Sequence, residues 1–181
     1  MVAWANTTSS TPRTKKLEVY QSLLGIFLAL FLLSGCHHAP SLPEASLEKT
    51  LQAIPRVKED EAARLAHEAH TYTHALKARY GATASPRLHN LWVNLGFKER
   101  GLCWHYAHDL FAHVRSLALE SVESVIVVAN LGSYWEEHSA VVVTCKGCDI
   151  TQGVVLDAWR NPEGIFYAPV SGDSKYTWER R

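Results

Sequence analysis

A change of hydrophobic period near Leu119 constrains this chain more than any other feature. Before it, apolar residues recur every three and four positions, the spacing of a helix face. After it come "VESVIVVANLG", "HSAVVVTC" and "GVVLDAW", β-branched apolar runs of strand length, with "GIFYAPV" as a fourth candidate strand. Helices first and strands afterwards predict an α+β domain with a mostly antiparallel sheet, not a doubly wound one.

The helical part divides at its breakers. "SLEKTLQAI" carries Leu47, Leu51 and Ile54 at helical spacing and stops at Pro55. Arg56 to Tyr80 is rich in Ala, Glu and Lys and closes at Gly81. In "SPRLHNLWVNLG", Ser85 is placed as N-cap and Pro86 at the first helical position, with Gly96 as the stop. Leu88, Leu91, Trp92 and Leu95 share one face of that helix, and Trp92, Trp104, Trp135, Trp159 and Trp178 read first as core. In "LCWHYAHDLFAHVRSLAL", Tyr106, Ala107, Leu110, Val114 and Leu117 form the apolar stripe. "CKGCDITQG", with Gly147 and Gly153, reads as a hairpin turn or slightly longer loop.

The first residues are a different material. Residues 1–22 are polar, with Arg13, Lys15 and Lys16 against Glu18, and lead into the uncharged run "LLGIFLALFLL". Eleven apolar residues are too few to span a bilayer and have the proportions of a secretory signal. The run ends in "LSGC", which resembles a bacterial lipobox. That resemblance implies a signal peptide over residues 1–35, cleavage before Cys36, palmitate and other lipid on Cys36, and a membrane-anchored lipoprotein of the cell envelope. His37 is not the Asp of an inner-membrane retention signal, which favours the outer membrane, facing the periplasm. Residues 36–46, with two prolines, read as the lipidated tether, and 47–181 as the domain.

Removing the leader leaves 146 of 181 residues, enough for one domain with a core. Three of the 18 Lys and Arg and one of the 18 Asp and Glu go with it, so the mature chain carries a net charge near −2. That excludes the basic footprint of a nucleic-acid partner. Beyond Cys36, three cysteines remain: Cys103, Cys145 and Cys148. An odd number in an oxidising compartment leaves a free thiol over. "CKGC" has the spacing of a thioredoxin motif but sits in a turn between strands, so a disulfide between Cys145 and Cys148 that clamps the turn is the expected state, with Cys103 the free thiol.

Three residues then stand out in order. Cys103 opens a helix, His138 opens the second strand, and Asp157 closes the third. The midpoint of His138 and Asp157 falls inside the "CKGC" turn, which predicts that they are side-by-side partners across a hairpin. An Asp there accepts the Nδ1–H of the imidazole and leaves Nε2 for a thiol. A helix N-terminus places partial positive charge and free N–H groups beside the sulfur, which stabilises a thiolate and a tetrahedral oxyanion.

"GLCWHYAHDLFAHVRSL … HSAVVV … VVLDAWR" resembles the core of the transglutaminase-like superfamily of papain-like cysteine enzymes, nearest to the bacterial transglutaminase-like cysteine proteinases. The resemblance covers roughly residues 99–160. It implies a papain-like core in which Cys103 is the nucleophile, His138 the base and Asp157 the orienting acid of a cysteine protease or amidase. The implied reaction is acyl transfer through a thioester: hydrolysis of a peptide or amide bond of a peptide or protein substrate first, transamidation second, with no cofactor. One departure is Ala140, where many members carry a tryptophan. No upstream residue is assigned to the oxyanion hole; Trp92 and Asn94 are the nearest candidates. Trp104 and Trp135 flank the cysteine and the histidine and are candidate walls of a substrate cleft.

Two other readings stay open. A non-catalytic envelope lipoprotein would use the same cleft to bind a peptide or protein partner. A metal-binding lipoprotein would use His67, His70 and His74 on one helix and His105 and His108 on another. No carboxylate cluster accompanies those histidines, so no metal site is assigned, and they read as polar surface.

Overall fold

The computed structural model describes residues 44–181. The expected leader, Cys36 and most of the tether lie outside the described residues. Four helices precede a five-stranded sheet: α1 (Glu44–Gln52), α2 (Glu59–Tyr80), α3 (Pro86–Asn94), α4 (Cys103–Ser116), β1 (Val122–Ala129), β2 (His138–Cys145), β3 (Val154–Asp157), β4 (Phe166–Pro169) and β5 (Glu179–Arg180). The order across the sheet is β4-β3-β2-β1-β5 and every neighbouring pair is antiparallel. The fold is therefore α+β with helices first. Residues 44–46, read from the sequence as the end of the tether, are instead the first turn of α1.

The helix boundaries follow local chemistry. Gly81 closes α2 in the left-handed conformation, φ 57°, with its N–H on the Ala78 carbonyl. Ser85 caps α3 by accepting from the Leu88 N–H at 3.3 Å, with Pro86 behind it. Glu61 of α2 accepts from the Glu120 and Ser121 N–H groups at 2.9 and 2.8 Å and so pins the turn from α4 into β1.

Alternation along the strands gives the sheet two apolar faces. Val141, Val143, Val154 and Leu156 pack with Leu65, Ala69, Leu110 and Val114 of α2 and α4. Val127, Ala140, Val142 and Val155 pack on the other face with Ile150, Val170 and Trp178. This double coverage is why β2 is buried along its whole length.

α3 departs from the expectation of an inward apolar stripe. Leu88, Leu91 and Leu95 are 44%, 49% and 58% exposed, while His89 is 2% exposed. The reason is the loop beside it. His89 donates its Nε2–H to the Arg100 carbonyl at 2.9 Å, and its ring lies where a Cβ on Gly101 would sit. Gly101 has φ 128°, a conformation that favours glycine. The polar side of α3 thus packs inward and its apolar side faces out. The tryptophans also divide. Trp178 is buried, Trp92 and Trp159 are partly buried, and Trp104 and Trp135 are 44% and 86% exposed, so the last two are not core.

Candidate functional site

The segment before Cys103 is fixed from three sides. His89 holds the Arg100 carbonyl. The Arg100 guanidinium donates to Asp109 at 2.8 Å, and Asp109 accepts the Tyr80 hydroxyl at 2.5 Å. His105, in the first turn of α4, turns its Nδ1 back to accept from the Gly101 and Leu102 N–H groups at 3.2 and 3.1 Å. Burial, with the nearby Arg100 charge, lowers the His105 pKa, so the ring is neutral and acts as an acceptor. His105 is therefore not polar surface but a cap on the helix that carries the thiol. Its capping consumes two of the amides in front of α4. The Cys103 and Trp104 N–H groups remain without an acceptor among the described residues.

Cys103 is a partly exposed free thiol. Its Sγ lies 4.0 Å from the Glu137 carbonyl, one residue before His138. His138 is 3% exposed and begins β2 opposite Ala129 of β1. Its Nε2–H donates to Asp157 Oδ2 at 2.6 Å. The expected ring orientation is thus reversed: Nε2 faces the carboxylate, and Nδ1 is the nitrogen left for the thiol. The expected pairing is corrected as well. β2 and β3 align Val141 with Leu156 and Val143 with Val154, which puts His138 two residues off the position opposite Asp157. A 3-10 turn at Ile150–Gln152 sits in the connection and displaces the register that the midpoint implies. Because the offset is two, both side chains stay on one face and meet diagonally.

Asp157 is 1% exposed, and each oxygen accepts twice. Oδ1 takes the Trp159 and Arg160 N–H groups, both at 3.0 Å; Oδ2 takes His138 Nε2 and Arg160 Nε, the latter at 2.9 Å. Burial alone would raise its pKa, but the His138 and Arg160 charges and hydrogen bonds hold it well below the ordinary carboxylate range. Burial presses the His138 pKa down; the Asp157 charge and hydrogen bond, with the adjoining Cys103 thiol, outweigh it and raise it to about 9. An imidazolium therefore stands beside the thiol at neutral pH, against a carboxylate that does not take up the proton.

The surroundings were only partly visible in the sequence. Trp159, Tyr176 and Trp178 surround the His138 ring with centroids at 5.0, 4.8 and 5.7 Å. Asn90 of α3, not Trp92 or Asn94, is the upstream side chain that reaches this group: its Oδ1 accepts from Trp159 Nε1 at 3.1 Å. Buried Lys77 donates to the Ala158 and Asn161 carbonyls at 2.6 and 2.7 Å and so fixes the turn after Asp157. Burial lowers its pKa to about 8, against the pull of the Asp157 charge. Trp104 tilts over His105 with ring centroids 3.7 Å apart, and Trp135 packs edge-on to Tyr134.

Cys145 and Cys148 form a disulfide with Cα atoms 5.2 Å apart. The histidines of the two expected metal faces have other partners. His67 meets Glu44 at 3.1 Å, His70 and His74 pack edge to face, His105 caps the start of α4, and His108 lies edge-on to Trp104 with ring centroids 6.1 Å apart. No family model, no curated protein and no solved structure matches this chain.

Proposed function

We propose that this is an extracytoplasmic cysteine hydrolase or acyltransferase with a transglutaminase-like, papain-like core, acting on peptide or amide bonds through Cys103, His138 and Asp157. One observation carries the reading. A free thiol at the first residue of α4 adjoins an imidazole whose far nitrogen is held at 2.6 Å by a carboxylate that is 1% exposed. The order of parts supports it too: a nucleophile on a helix, then a base and an orienting acid on the sheet packed beneath.

The chemistry then runs as follows. The Cys103 thiolate, paired with the His138 imidazolium, attacks the substrate carbonyl carbon and forms a C–S bond. The Cys103 and Trp104 N–H groups donate to the carbonyl oxygen as negative charge develops on it. His138 gives its proton to the leaving amine through Nδ1, and the C–N bond breaks to leave a thioester. Water, deprotonated by the now neutral imidazole, hydrolyses the thioester; an amine in its place gives transamidation. Asp157 keeps the imidazole oriented and stabilises its charged form without taking up the proton. Trp104, exposed beside Cys103, and Trp135, exposed three residues before His138, form the proposed rims of the cleft. Lipid on Cys36 places the domain at the outer membrane on the periplasmic side; Cys36→Ser then yields an unlipidated chain.

Acyl-enzyme trapping tests the chemistry. An activated ester mixed with the protein and quenched in acid should leave one acyl group on Cys103, seen by mass spectrometry. His138→Ala should abolish it. A folded protein whose Cys103 stays unacylated removes the enzymatic reading and leaves the cleft as a binding surface.

A further inference from the structure

Asp157 is held from behind by a second charged pair that the chemistry above does not use. Arg160 spends its whole guanidinium on two carboxylates. Nε donates to Asp157 Oδ2 at 2.9 Å, while the two terminal nitrogens reach Asp173 Oδ1 and Oδ2 at 3.0 and 2.8 Å. The Asp173 side chain is 2% exposed and that of Arg160 11%. Asp173 also accepts Trp178 Nε1 at 3.0 Å and the Lys175 N–H at 3.1 Å. The guanidinium lies 3.8 Å from the Phe166 ring centroid, with Tyr176 at 4.8 Å and Trp178 at 5.8 Å.

The segment that supplies Asp173, Tyr176 and Trp178 is the end of the chain, and it returns to the histidine. Tyr176 and Trp178 flank the His138 ring. Glu179 and Arg180 add β5 to the edge of β1 opposite Val128 and Val127. Arg181 then donates to Ser139 Oγ at 3.0 Å and meets Glu137 Oε1 at 3.1 Å, touching the residues on both sides of His138. Histidine and aspartate sit on different strands, two residues out of register, yet residues 173–181 contact the histidine directly and reach the aspartate through Arg160.

We infer that Arg160 is a positioning residue, which, through its pair with Asp173, ties Asp157 to the C-terminal segment Asp173–Arg181 and holds it in line with His138. The inference rests on the reading of Cys103, His138 and Asp157 as one catalytic unit. Local bonds account for only one oxygen of Asp157: Oδ1 is fixed by the amides of Trp159 and Arg160. Oδ2, the oxygen that meets the imidazole, has Arg160 Nε as its other donor. A planar fork can serve Asp157 edge-on and Asp173 end-on at once while stacking on Phe166; a lysine ammonium cannot.

The test reads the His138–Asp157 hydrogen bond itself. In full-length protein, the His138 Nε2–H should appear as a downfield, slowly exchanging proton resonance that disappears in His138→Ala and Asp157→Asn. Arg160→Met should lose or broaden it, and slow Cys103 alkylation at pH 7 by up to about 100-fold, the scale for a reacting group misplaced by about 1 Å. Asp173→Asn, which keeps shape but removes charge, and Trp178→Phe, which removes one donor, should weaken the resonance by successively smaller amounts. Both remain readable if Arg160→Met does not fold. Folded variants that all keep the wild-type resonance and alkylation rate overturn the inference and leave Arg160 a brace for the chain end. Because the resonance needs no thiol and no turnover, failure of the Cys103 reading shows separately, as alkylation indifferent to His138→Ala.

Discussion

The side chains that position Cys103 and His138 hold them from one side and leave the other open. His105 caps the α4 start from behind and leaves the Cys103 amide free. Asp157 takes Nε2 of His138 and leaves Nδ1. Gly101 is the residue on which this depends most, since its φ of 128° and the His89 ring against it allow no side chain. Gly101→Ala should therefore cost about 2 kcal/mol or more, from a forbidden conformation together with a steric overlap in a packed site. Urea unfolding of the variant measures it, and the surviving folded fraction should alkylate Cys103 more slowly because the helix start has moved. In the sequence, Cys103, His138 and Asp157 were legible because each opens or closes a regular element. Arg160 was within reach, three residues beyond Asp157 in "DAWR". Asp173, Tyr176 and Trp178 were not: they come back to His138 through a turn whose path no local pattern encodes.

At the scale of elements, boundaries were easier to read than directions. The second strand, His138–Cys145, follows the apolar run, and α3 starts at the Ser85–Pro86 signal. Which side of α3 faces inward was not readable, because a hydrogen bond from His89 to a loop carbonyl outweighs a leucine stripe. The register of β2 and β3 was likewise hidden, because it depends on the 3-10 turn folded into their connection. β5, two residues long, is too short to carry a pattern. The Cys145–Cys148 bridge closes a short loop at the far end of β2 from His138. Chain entropy gives so short a loop about 2 kcal/mol at most. The Cys145→Ser/Cys148→Ser double variant should lose no more than that in chemical unfolding, and its Cys103 should alkylate at the wild-type rate. Loss of reactivity in a folded double variant would return the redox reading of "CKGC".

For the whole molecule, the buried charges set a pH window. His138 titrates near 6.5 unfolded and about 9 folded, so its contribution to stability is complete below pH 6.5 and is lost as pH rises through 9. Asp157 is shifted the other way: its contribution is present above its ordinary value of 3.8 and is lost as pH falls through its lower folded value. From this pair, stability should be greatest between about pH 4 and 6.5. Lys77, lowered from 10.5 to about 8, opposes the alkaline loss, because the unfolded chain binds the extra proton between those values. The melting temperature should thus fall from pH 6.5 toward 8 and flatten from there to about 9. In His138→Ala the fall should be absent; an unchanged profile in that variant would place the titration elsewhere.

The most direct measurement is the rate at which iodoacetamide modifies Cys103 at pH 6–7, in the wild-type chain, His138→Ala, Asp157→Asn and the double variant. A thiol that works with His138 and Asp157 as one unit reacts faster than an unstructured thiol. It should slow on the order of tenfold or more with either change, and little further with both, because interdependent groups are not additive. Slow alkylation that ignores His138, or losses that simply add, would contradict the account and make Cys103 a structural residue.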